Sequence, residues 1–167
     1  MSKVSIILPT FNGSKYIFKA IDSVLAQTFQ DWELIVLDDG STDDTDKVIN
    51  HYLVDKRIRF LKNEKNLGQN KTLNLGLKLA KGEYIARIDD DDEWIDKDKL
   101  KKQVEFLDSH KDYVLAGTFY DVVLDNGVVQ TTQVLPTEDK AFRDNLLSQN
   151  LFGPSTVMFP RDVVLSL

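Results

Sequence analysis

Cysteine is absent from this 167-residue chain, which excludes a disulfide scaffold, a thiolate metal site and a cysteine nucleophile. Histidine is nearly absent: His51 and His110 are the only two, too few for a multi-histidine zinc cluster. With 4 Pro and 8 Gly, neither a collagen-like chain nor a Pro/Gly-rich disordered one is in question. No apolar run approaches the roughly 20 residues of a membrane-spanning helix; the longest, such as Val4 to Pro9 and Trp32 to Leu37, are far shorter. Basic charge is in deficit, 21 Lys and Arg against 27 Asp and Glu for a net of −6, which argues against a nucleic-acid partner. The start, MSKVSIILPTF, carries no signal-peptide cleavage pattern. The expected location is the cytoplasm, including the cytoplasmic face of a membrane.

What is present is a rhythm. VSIILP (Val4 to Pro9) and ELIVLD (Glu33 to Asp38) are nearly continuous apolar runs, as expected of strands covered on both faces. Between them Tyr16, Ile17, Ala20, Ile21, Val24 and Leu25 recur at helical spacing. A helix through Val48, Ile49 and Leu53, a strand over Arg57 to Leu61, and a helix on Leu73, Leu77 and Ala80 stopped by Gly82 continue the alternation. Glu83 to Ile88 reads as a fourth strand, and Leu100, Val104 and Leu107 line a further helix whose Lys97, Lys99, Lys101 and Lys102 form a solvated face. Strand–helix repetition of this kind predicts an α/β fold with a mostly parallel central sheet flanked by helices.

After about residue 112 the pattern changes. Tyr113 to Gly117, Tyr120 to Leu124 and Val128 to Val134 read as strands, the last two joined by the hairpin signal Asn126-Gly127. A helix on Phe142, Leu146 and Leu147 and a strand over Ser155 to Phe159 follow. One domain is expected, residues 1–111 forming its parallel half and residues 112–167 a mixed-sheet extension. The closing RDVVLSL is an apolar run with no turn or cap, which suits a chain cut before its next element as well as a natural terminus.

The sharpest local signal is Asp89-Asp90-Asp91-Asp92 at the end of the fourth strand. Adjacent carboxylates repel unless water or a cation relieves them, and hard divalent cations take oxygen ligands, Mg²⁺ commonly from one or two carboxylates plus substrate phosphates. Asp89 and Asp91 form a D-x-D pair whose side chains share a direction if the chain stays extended. An EF-hand fails, since Trp94 and Leu100 stand where that loop needs Gly and Glu. A second cluster, Asp38-Asp39-Gly40-Ser41-Thr42-Asp43, also follows a strand. Gly40 permits its turn, one of Ser41, Thr42 or Asp43 caps the next helix, and Asp38 and Asp39 remain as acceptors for a base or sugar. Neither a G-x-G-x-x-G fingerprint nor a P-loop is present. Trp32 and Trp94 read as packing residues.

Taken together, residues 4–45, 66–94 and 99–110, with a weaker match in NLFGPSTVMFPRDVV, resemble the family 2 glycosyltransferases, inverting enzymes of the GT-A fold with a Rossmann-like sheet and a mixed or antiparallel β extension. The resemblance implies a nucleotide-diphosphate sugar as donor, with a UDP-sugar favoured. Pro9, Thr10, Phe11 and Asn12 would border base and ribose, and Asp38 or Asp39 would contact the base. Asn66, Gly68 and Lys71 would lie near the nucleotide. Asp91 would be the principal ligand of Mn²⁺ or Mg²⁺, with Asp89 as a second ligand and Asp89 or Asp90 near ribose and phosphates. Gln69 or Asn70 stands where family members usually have Arg. The acceptor would be a glycan or lipid-linked glycan, and the full-length protein would associate peripherally with the membrane. The catalytic base is expected downstream of Leu167, since Glu138-Asp139 precedes the matching segment and reads as a helix start. Two alternatives remain at this point: a nucleotidyltransferase or other phosphotransferase using the same carboxylates, and a noncatalytic nucleotide-sugar-binding module.

Overall fold

The computed structural model describes residues 2–124, 126–133, 140, 144 and 152–165. The alternation of the first half is realised as β1 (Val4–Thr10), α1 (Ile17–Leu25), β2 (Trp32–Asp38), α2 (Thr45–Asn50), β3 (Ile58–Lys62), α3 (Gln69–Leu79), β4 (Tyr84–Arg87) and α4 (Lys99–Ser109). Beyond it come β5 (Tyr120–Val123), β6 (Val129–Gln133), a 3₁₀ turn at Pro154–Thr156, β7 (Met158–Pro160) and α5 (Arg161–Leu165). The main sheet runs β3-β2-β1-β4-β7, and β5 and β6 pair separately. β1, β2, β3 and β4 are mutually parallel, and β7 joins β4 antiparallel.

Side-chain alternation divides the core. Val4, Ile6 and Leu8 of β1 and Leu34 and Val36 of β2 point to one face, where they meet Ile17, Ile21 and Val24 of α1 and Leu100, Val104 and Leu107 of α4. Ile7, Ile35 and Leu37 point to the other face and pack under Leu73 and Leu77 of α3. All seven residues of β1 and of β2 are buried, so both strands are covered on both sides, as their apolar runs predict.

Several boundaries differ from the sequence reading. The second helix ends at Asn50 and continues only as turns through Leu53. α3 ends at Leu79, before Gly82, whose added Cβ would lie 2.5 Å from the Ser5 amide. Tyr113 to Gly117 is not a strand but contributes a single bridge, Ala116 to Met158. The last strand begins at Met158 because Pro154 opens a 3₁₀ turn over the positions expected to be extended. The helix expected on Phe142, Leu146 and Leu147, and the Glu138-Asp139 pair, lie outside the described residues. Trp32 and Trp94 are both buried, as expected of packing residues.

Lys99 overturns the solvated-face reading of its helix. It is 5% exposed, its Nζ 4.1 Å from the centre of the Trp94 ring and donating to Gln103 Oε1 at 2.8 Å. The reason is helical phase, since Lys99 and Gln103 flank the apolar stripe of Leu100, Val104 and Leu107. Burial pushes the Lys99 ammonium down from 10.5 to about 7. Between about 7 and 10.5 the unfolded chain therefore binds more protons at this site than the folded one, and stability rises with pH across that window. Lys99→Met is expected to be more stable than the wild type at about pH 6, with the wild type gaining on it as pH rises toward about 9.5. Urea unfolding of both proteins at each pH checks this; parallel stability profiles would contradict it.

Candidate functional site

Parallel strands deliver their carboxyl ends to one edge, where ligands of open α/β sheets bind. Here the loops after β1, β2 and β4 meet. The Asp39 amide donates to the Thr10 carbonyl at 2.8 Å, and the Ile88 amide to the Ile7 carbonyl at 3.1 Å. Asn12, with a left-handed φ of 57°, ties the first two loops together: its amide donates to Ser41 Oγ at 2.8 Å and its Oδ1 accepts the Thr42 amide at 2.9 Å. Phe11 is left 47% exposed at the mouth of the crevice, while Pro9 is buried within β1.

Asp38 and Asp39 are not the unengaged acceptors that the sequence suggests. Asp38 is fully buried; its Oδ1 accepts the Ser41 amide at 2.7 Å and its Oδ2 faces Lys62 Nζ at 3.4 Å. Gly40 makes this turn possible with a φ of +80°, and an added Cβ there would come 2.6 Å from the Lys65 backbone. Asp39 Oδ1 accepts Asn63 Nδ2 and the Leu67 amide, and Oδ2 accepts the Gly68 amide, each at 2.9 Å. Burial pushes the Asp39 carboxyl up, but the bonds from Leu67, Asn63, Thr72 and Gly68 outweigh it and hold the group below its ordinary value. A carboxylate has about four acceptor positions, and these four contacts take them up. The N-cap of α2 is Asp44, without a side-chain cap, rather than Ser41, Thr42 or Asp43; Asp43 lies one residue earlier, and its Oδ1 accepts the Thr45 amide at 3.1 Å in a local turn. Asn66 closes its own turn by accepting the Gly68 amide at 2.9 Å, so Asn66 and Gly68 stand beside Asp39. Lys71 is exposed in the first turn of α3.

The acidic segment is a turn rather than an extended strand end, closed by the Asp92 amide on the Asp89 carbonyl at 3.2 Å. The premise for Asp89 and Asp91 sharing a direction is therefore removed. Asp89 Oδ1 is engaged by Arg87, at 2.8 Å from Nε and 2.7 Å from Nη2. Asp90 Oδ2 accepts the Thr10 hydroxyl, and Asp92 Oδ2 accepts the Ser155 hydroxyl. Among the described residues Asp91 alone of the four has neither hydrogen bond nor ion pair, and it is exposed. Partial burial, with the Asp91 charge adding to it, holds the Asp89, Asp90 and Asp92 carboxyls above their ordinary value, despite the lowering contacts from Arg87, Thr10 and Ser155.

The donor set fits a divalent cation of an open kind. Among the described residues no three acidic or histidine side chains converge into a cage, and an all-oxygen site with one available carboxylate is what Mg²⁺ or Mn²⁺ uses when substrate phosphates complete the shell.

The profile of Glycosyl transferase family 2 matches residues 5–164. The chain belongs to that family. A relative named as a putative teichuronic acid biosynthesis glycosyltransferase, TuaG of Bacillus subtilis, is 35% identical over 160 residues, covering 95% of this chain and 62% of that protein. The glucosyltransferase WfaP of Escherichia coli, named for UDP-Glc and α-D-GlcNAc-diphosphoundecaprenol, is 38% identical over 120 residues, 72% of this chain and 47% of WfaP. Crystalline S. aureus TarS 1–349 in complex with UDP-GlcNAc superposes with a TM-score of 0.72 at 25% identity, covering 98% of this chain and 47% of that TarS chain. This family 2 chain thus has the GT-A architecture, and it spans less than two thirds of the relatives it matches.

Three residues of the site escaped the sequence reading. Arg87 had a local signal, since it stands two positions before Asp89 and alternation puts both on one side. Gly13 and Ser155 had none, because their partners are distant in sequence. Gly13 packs so closely on the Asp90 carboxylate and the Thr10 hydroxyl that an added Cβ would overlap both. Gly13→Ala is expected to lose about 1–3 kcal/mol through this overlap. Urea denaturation measures it, and an unchanged midpoint would contradict the packing described.

Proposed function

We propose that this family 2 chain binds a nucleotide-diphosphate sugar, a UDP-sugar, across the ends of β1, β2 and β4, and serves its inverting transfer to a glycan or lipid-linked acceptor. The observation that carries the reading is Asp91, which alone of the four acids of the turn has neither hydrogen bond nor ion pair, while Asp89, Asp90 and Asp92 are held by Arg87, Thr10 and Ser155. Asp91 would hold Mn²⁺ or Mg²⁺, with Asp89 and Asp90 near ribose and phosphates. When bound, the cation supplies Lewis-acid stabilisation of the charge that develops on the departing diphosphate.

The chain's own residues bind and orient the donor. Asp39 borders the base, its carboxylate held in place by Asn63, Leu67 and Gly68. The exposed Phe11 ring and the Asn12 loop border base and ribose, and Thr10 fixes the Asp90 carboxylate in its place. Asn66 and Lys71 lie on the same rim. UDP is favoured because TarS is crystallised with UDP-GlcNAc and WfaP is named for UDP-Glc. A cell-envelope polysaccharide fits the name of TuaG. The base that deprotonates the acceptor is assigned to sequence downstream of Leu167. No helix among the described residues is long and apolar enough to cross a membrane; the proposed setting is the cytoplasm, with peripheral attachment to the membrane face. The phosphotransferase and noncatalytic alternatives draw no support from the family match.

Because the chain covers 62% of TuaG, donor binding rather than turnover is the test. Calorimetric titration of UDP is expected to show binding that requires Mn²⁺ and weakens about 10-fold or more in Asp91→Ala. Mn²⁺-dependent binding that survives Asp91→Ala, or no binding by the folded wild type, would contradict the proposal.

A further inference from the structure

Resting on that reading of the cation site, we infer that Ser155 is the positioning residue of the acidic turn, holding Asp92 away so that Asp91 alone is offered to the metal. Its hydroxyl sits across the turn's two ends. Oγ accepts the Asp89 amide at 2.8 Å and donates its proton to Asp92 Oδ2. Its carbonyl accepts Trp94 Nε1–H at 2.8 Å. One residue thus grips the beginning of the turn, its last carboxylate and the indole that follows.

A post must itself be fixed, and Ser155 is fixed independently of the acids. It lies in the 3₁₀ turn that leads into β7 and is 8% exposed. The next residue, Thr156, gives its carbonyl to Gln103 Nε2 at 2.9 Å, and the same amide reaches the Ala116 carbonyl at 2.9 Å. Lys99 Nζ on Gln103 Oε1 fixes which end of that amide faces those carbonyls. Two residues on, Met158 exchanges both backbone bonds with Ala116 at 2.8 Å, and β7 pairs with β4. The 153–158 segment is therefore anchored to α4 and β4, and the acidic turn is shaped against it.

The consequence is a division among four adjacent carboxylates. Arg87 holds Asp89, Thr10 holds Asp90 and Ser155 holds Asp92. Removing the Ser155 hydroxyl releases Asp92 and leaves the Asp89 amide without its acceptor. Partners that orient a metal's ligands from outside the coordination shell typically contribute 10–100-fold in metal affinity.

The experiment compares the whole chain with Ser155→Ala and Ser155→Thr by two readouts. Amide hydrogen exchange without metal or nucleotide is expected to accelerate in Ser155→Ala at residues 89–92 while β1 and β2 stay protected; Ser155→Thr keeps the hydroxyl and the protection. Mn²⁺ titration followed by electron paramagnetic resonance, with UDP present, is expected to show affinity about 10–100-fold weaker in Ser155→Ala and restored in Ser155→Thr. Should the alanine variant unfold, Ser155→Cys, a weak donor of similar size, takes its place. Unchanged exchange at residues 89–92, or Mn²⁺ affinity equal to the wild type, overturns the inference. A wild type that takes up no Mn²⁺ with UDP defeats the donor-site reading and the metal role of Ser155 together, while the exchange result separately decides whether the turn is held by Ser155.

Discussion

Four carboxylates in succession cannot share the end of a strand without compensation, and the architecture of this site follows from how that repulsion is relieved. Each of three acids is given a separate partner from a separate part of the fold: Arg87 from within β4, Thr10 from the end of β1, and Ser155 from the turn before β7. A charged partner, a neutral donor and a bridging hydroxyl do not offset partial burial and the neighbouring negative charge, and the carboxyls of Asp89, Asp90 and Asp92 stay above their ordinary value. Asp91 is left without such a partner, which under the proposed function makes it the group that meets the cation.

This arrangement depends on the parallel sheet behind it. Thr10 reaches Asp90 because β1 and β4 are neighbours and run in the same direction, and Asp39 meets the 63–68 segment because β2 pairs in parallel with β3. The fully buried β1 and β2 give the loops a rigid base. The loops then engage one another through Asn12, Ser41 and Thr42, so the crevice is shaped before any ligand enters. Preorganised polar groups of this kind need little rearrangement on binding.

Much of this was legible in the sequence, and the limits of legibility are physical. Continuous apolar runs mark β1 and β2, helical periodicity marks α1 and α4, and acids directly after apolar runs mark the site. The family resemblance pointed to Asp91, but the residues alone do not show which acid remains available, because the deciding contacts join residues 80 apart for Thr10 and Asp90 and 63 apart for Ser155 and Asp92. The extended-strand picture of Asp89 and Asp91 failed for a local reason: the chain turns on the Asp89 carbonyl. Lys99 lies beside the buried stripe, next to Leu100, Gln103 and Val104, because helical phase outweighs the preference of its side-chain type for solvent. The packing roles of both tryptophans followed from elementary rules and stand in the structure, whereas the helix start fell one residue later than the cap candidates, at Asp44.

The central claim is that one carboxylate of four is reserved for the cation. Anomalous diffraction from crystals grown with UDP and Mn²⁺ tests it most directly, since the metal's position is read without reference to any variant. The account predicts an anomalous peak in direct contact with the Asp91 carboxylate, with Asp90 still on Thr10 and Asp92 still on Ser155. A peak coordinated by Asp92 or Asp90 in place of Asp91 would contradict it.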